Sequence, residues 1–144
     1  MLCHRATRAH NTILVNGMGQ RIGTEGYGWI PRYYASEKIG YVLGDASNAY
    51  GKVISPLWLT RGEQSEVHYT PENGWDENHV KTFRRHIVNL GKTGLIFIYD
   101  ELVADEPVNW NYLLHTTANP MTVNKSNNRF VHIQATNRGG ASDA

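Results

Sequence analysis

Apolar and polar positions in this chain alternate far more often than they recur at helical spacing. Thr12 to Val15 is β-branched or aliphatic throughout and predicts a buried strand. Asn16-Gly17 ends it, because both residues accept the positive φ of a tight turn. Trp29 to Glu37 and Ile39 to Ala46 predict two more strands, weakly separated at Lys38 and Gly40. Val80 to Leu90 predicts a fourth, with Phe83, Arg85 and Ile87 on one face and Arg84, His86 and Val88 on the other. Gly91-Lys92-Thr93-Gly94 is a hairpin turn. Leu95 to Tyr99 is nearly all apolar and predicts a central strand buried on both faces, ended by Asp100-Glu101. Ala104 to Pro107 connects to a strand over Val108 to Thr117. Met121 to Lys125 and Arg129 to Thr136 predict a last hairpin around Ser126-Asn127-Asn128. Residues 137–144 are polar and Gly-rich and predict a flexible tail.

Two stretches break the pattern. Residues 17–28 carry five glycines and predict a rim loop; Gly17-Met18-Gly19 is no phosphate cradle, since no helical stretch follows it. Residues 51–78 are interrupted by Pro56, Gly62, Pro71, Asn73 and Gly74, and predict a long excursion anchored by Trp58. No segment argues for a helix, and no internal repeat is present. The expected fold is all-β: one domain over residues 1–144, an antiparallel β-sandwich of about eight or nine strands with long loops.

Composition changes this picture little. The 144 residues are 40% hydrophobic and 19% charged, enough for one domain with a real core. A formal net charge of +1 gives no electrostatic case for nucleic acid or membrane binding. No apolar run approaches the roughly 18 residues of a membrane span. Met1 to Arg5 lacks the apolar core of a signal peptide. A single cysteine, Cys3, excludes an internal disulfide.

Candidate chemistry sits at strand ends. His10 and Asn11 stand at the rim of the first strand, where His10 is either a hydrogen-bonded structural histidine or a ligand; one histidine names no metal, since zinc needs three or four donors. Asp45 ends a strand, either as an Asx-type turn cap or as a rim residue. Arg85 shares a face with Phe83 and Ile87, so it is either a snorkelling side chain or one held to grip a carboxylate at two points. His115 stands at a strand end, as His10 stands at a strand start. His68 and His79 lie too far apart in sequence to argue a metal pair.

The run Arg5-x-Thr7-x-Ala9-His10-Asn11-Thr12, with Asn16, Gly17 and Gln20 behind it, resembles the C-terminal β-sandwich of the heparinase II/III-like polysaccharide lyases. Further similar runs follow in order: Gly44 to Tyr50, Arg85 to Val88, Tyr99 to Leu102 and Leu113 to Thr116. The resemblance covers about residues 5–117. It implies β-elimination on uronate-containing polysaccharides. There a tyrosine or histidine base takes the C5 proton, an acid protonates the leaving oxygen, and a polar group neutralises the carboxylate. It also implies substrate contacts from Asn11, Asp45, Tyr50, Arg85 and His115, and a structural zinc with His10 among its ligands.

The chain departs from the family pattern. The other two metal ligands belong to runs before Ala9-His10-Asn11-Thr12, and neither run is present. The α/α-toroid that supplies most catalytic residues is also absent. The expectation is therefore a later portion of the sandwich, catalytically incomplete by itself, in which His4, His115 or a second chain would complete any site at His10. The alternative is a non-enzymatic carbohydrate-binding or assembly β-sandwich. Its sugar-stacking surfaces would come from Trp29, Tyr33, Tyr34, Trp58, Trp75 and Trp110, although core packing is expected for most of these. An independent enzyme using His10, Tyr50 and His115 ranks third. Open sheet edges predict a homo-oligomer or a partner chain. The family resemblance implies periplasmic or secreted bacterial proteins.

Overall fold

A computed structural model describes residues 6–64, 79–115, 121–125 and 131–135. The chain divides into two compact units, Met1–Leu113 and Leu114–Ala144. Among the described residues there are eight strands, every pairing antiparallel, and one α-helix. The fold is all-β.

In the first unit, β1 (Ile13–Val15) pairs with β6 (Trp110–Tyr112). A second sheet runs in the order β2 (Trp29–Ala35), β3 (Gly40–Asp45), β4 (Val80–Asn89), β5 (Ile96–Ala104). Asn16 and Gly17 close the β1 turn at φ 51° and 80°, the conformation that their short or absent side chains tolerate. The small ladder packs on one end of the larger sheet. Ile13, Val15, Ala49, Tyr50 and Phe83 form the shared core, with Leu102, Val108 and Trp110 against it. The β4 face holding Phe83, Arg85 and Ile87 is therefore the inner face. Arg84, His86 and Val88 lie on the outer one, as the alternation predicts.

Three sequence expectations need correction. First, among the described residues β5 is an edge strand and not a central one: Ile96, Phe97, Ile98 and Tyr99 are 48–63% exposed. Second, Asp100-Glu101 does not end it. Arg85 and Arg84 stand opposite these two acids on β4, so both stay in a ladder that runs on to Ala104. Third, the 51–78 stretch contains the helix α1 (Pro56–Gln64). Pro56 opens a helix there instead of breaking a strand, since the first helical turn needs no N–H from its leading residue. Trp58 and Leu59 both donate their N–H groups to the Ser55 carbonyl. Trp58 is half-buried against Gly23, where a Cβ would lie 2.8 Å from the indole. Residues 65–78, with His68 and Trp75, lie outside the described residues, as do His4 and the 137–144 tail.

The second unit, taken by itself, contains β7 (Met121–Lys125) paired with β8 (Val131–Ala135), the hairpin predicted from sequence.

Candidate functional site

Alternation along β4 aims Arg85 inward, beside the core. Its guanidinium grips Asp100 at two points, Nε to Oδ1 and Nη2 to Oδ2, both at 2.8 Å. Its Nη1 donates to the Asn11 carbonyl at 2.7 Å. The Phe83 and Tyr112 rings flank it, each centroid 5.4 Å from the guanidinium carbon. The two-point grip is made, and its carboxylate belongs to the protein. Bonding to Asp100 outweighs partial burial and holds the Arg85 pKa above its ordinary value.

Tyr50 is buried, and its hydroxyl donates to the Ile13 carbonyl at 2.7 Å. Burial pushes its pKa up to about 12, so the phenol keeps its proton at neutral pH. Asp45 is buried at the end of β3. Its Oδ1 accepts from the Ser47 N–H at 3.0 Å and its Oδ2 from Arg84 Nε at 2.8 Å. This is the Asx-type cap, with an ion pair added. Burial raises the carboxyl, but Arg84 and Ser47 together outweigh it and hold the group below its ordinary value.

His10 is exposed after a short 3-10 turn (Thr7–Ala9), and its N–H donates to the Thr7 carbonyl. Asn11 is exposed beside it and reaches Arg85 through its carbonyl. His115 is exposed in the second unit, beyond the end of β6. Among the described residues, no three His, Cys, Asp or Glu side chains converge as metal ligands. His10 is thus not joined there by the donor set that zinc needs.

What the structure brings together instead is centred on Trp29, at the head of β2. Its side chain, 46% exposed, borders two clefts. One has a volume of about 320 Å³ and is lined by Thr12, Gly28, Gly44, Asp45 and Arg85. The other, about 520 Å³, is lined by Arg21, Asn48, Tyr50, Lys52 and Lys81. Tyr27 extends the aromatic wall, with its ring centroid 5.6 Å from that of Trp29. Arg21 fixes the loop around this cleft by donating to the carbonyls of Glu25, Asn48 and Lys52. Asn48 Nδ2 donates to the Glu25 carbonyl at 2.6 Å. Lys81 pairs with Asp105 at 2.9 Å.

Sequence reasoning named Trp29 only as one aromatic among six and missed Arg21, Asn48, Lys52 and Lys81. The available signals were an arginine inside a Gly-rich loop and a Gly-Trp step at a strand head. Of the six, Trp75 lies outside the described residues, Trp29, Tyr33 and Tyr34 are exposed, Trp58 is half-buried, and Trp110 packs against the core. The outer face carries a polar chain that sequence also missed. Tyr41 Oη lies 2.9 Å from His86 Nδ1, and His86 Nε2 lies 3.4 Å from Glu101 Oε1.

No protein-family model matches this chain, and no curated protein matches it.

Proposed function

We propose that this chain is a heparinase II/III-like β-sandwich that holds an acidic polysaccharide along the Trp29 wall and leaves C5 proton abstraction to another polypeptide. The observation that carries this reading is the position of Trp29 between two clefts, one of them bordered by Lys52 and Lys81. A pyranose ring presents positively polarised C–H bonds to the negative face of an indole. The Lys52 ammonium beside it suits a uronate carboxylate, whereas Lys81 already pairs with Asp105. The same cation would stabilise the charge that develops when C5 loses its proton. Tyr50 is poorly suited to be the base, because it is buried, its hydroxyl is bonded to the Ile13 carbonyl, and burial favours the protonated phenol. No step is routed through zinc.

The test has two parts. Affinity electrophoresis in gels containing alginate or glycosaminoglycans should retard the chain, and Trp29→Ala should weaken retention by about tenfold. The ultraviolet absorbance of unsaturated uronate should not rise with the chain alone, with or without added zinc. A clear rise would overturn the incomplete-enzyme part of the reading; unchanged migration in every gel would overturn the glycan part. The second reading, a binding module with no lyase role, is favoured by the exposure of Tyr33 and Tyr34. Elimination on adding a toroid polypeptide would separate it from the first.

A further inference from the structure

The two edges of the four-stranded sheet are not equivalent. The β2 edge carries Pro31, which has no N–H to offer, and a register shift between Trp29 and Arg32. Both features blunt an edge against further pairing. The β5 edge has neither over Ile96 to Tyr99: no proline, no charge and no register shift. Among the described residues β5 has a ladder partner on one side only. Its side chains are apolar and open on both faces, with Leu95 at the hairpin exposed as well. An edge of this kind is a template for another strand.

We infer that two copies of this chain pair antiparallel along β5, about a two-fold axis that sets Phe97 opposite its own symmetry mate. The sequence selects this register. Centred on Phe97, the pairing sets Ile96 opposite Ile98 and Leu95 opposite Tyr99, so every apolar residue meets an apolar one. It also sets Asp100 and Glu101 beside the Gly91–Thr93 turn and Gly94, clear of the apolar run. Centring on Ile98 instead would set Ile96 against Asp100 and Leu95 against Glu101. The axis runs perpendicular to the sheet, so both copies turn the same face the same way. The joined sheet has eight strands, and the exposed inner-face residues Tyr33, Val42, Ile87 and Ile98 merge into one continuous surface.

The test is sedimentation velocity on the full chain, with site-specific cross-linking. The chain should sediment as a dimer at micromolar concentration, and Ile98→Lys should make it monomeric with an unchanged far-UV circular dichroism spectrum. In a Cys3→Ser background, mild oxidation of Phe97→Cys should give a covalent dimer, because directly opposed Cα atoms lie roughly 4.5–5.5 Å apart, within disulfide reach. Ile98→Cys, opposed to Ile96, should cross-link at least several-fold less. A monomeric parent chain, a dimer that survives Ile98→Lys, or cross-linking stronger at position 98 than at 97 would each overturn the inference. So would a monomer that captures an unrelated extended peptide on β5.

Discussion

Arg85 and Asp100 stand opposite each other on neighbouring strands and meet as a two-point ion pair, 2.8 Å at each contact. Both side chains are largely withdrawn from water. Removing one partner strands the other's charge, and that penalty exceeds what the intact pair contributes. Arg85→Ala should lower unfolding free energy by about 3 kcal/mol. Arg85→Lys should recover only part of it, because an ammonium cannot make the fork. Urea melts of both variants and of the Arg85→Ala, Asp100→Asn double variant measure the coupling directly.

Tyr50 gives the chain an alkaline limit. Its pKa rises from 10.0 in the unfolded chain to about 12 when buried. A raised phenol favours the folded state fully below pH 10, and that contribution disappears as pH climbs through about 12. Tyr50→Phe should cost about 1 kcal/mol at neutral pH through the lost bond to Ile13. It should also flatten the stability curve above pH 10, which a set of thermal melts at increasing pH would show.

Asp45 sets an acid limit with the opposite sign. Its folded pKa lies below 3.8, so its contribution is complete above that value and is lost as pH falls through the lower one. Asp45→Asn should remove this part of the acid transition and cost about 1 kcal/mol near pH 7, since Arg84 is half-exposed and screened by water. Chemical melts between pH 2 and 7 test both statements.

Gly28 lets the Trp29 wall approach the end of β3. A Cβ at Gly28 would lie 2.9 Å from the Asp45 carbonyl oxygen, which is backbone and cannot swing aside. Gly28→Ala should therefore displace Trp29 and lose glycan retention in the affinity gel while the chain stays folded. Retention equal to the parent chain would show that the wall is not where glycan binds.

These residues also show what a sequence can disclose. The β-branched run at Ile13 to Val15 and the alternation around Arg85 carry their own instructions, because period-two patterning assigns faces without outside help. The apolar run Leu95 to Tyr99 does not. It states that these side chains favour burial but not which surface covers them, so an edge strand reads as a central one. Asp100-Glu101 reads as a stop because the arginines that keep both acids in the ladder lie some fifteen positions away. Ser55-Pro56 is ambiguous by itself: the same proline ends a strand or opens a helix. The Trp29 clefts have no periodic signature, since Arg21, Asn48 and Lys81 come together through loops and carbonyl contacts.

Adjacent arginines on β4 have a consequence for folding fidelity. Arg84 faces outward to Asp45 and Arg85 inward to Asp100, so the sheet is pinned from both sides at one height. Sliding β4 by a single residue would turn Phe83 out of the core and leave one of the two carboxylates without a guanidinium, and sliding it by two would leave both. Mispaired sheets are thereby penalised twice for one error, and the pair of arginines works as a two-sided key that admits only one alignment of β3, β4 and β5.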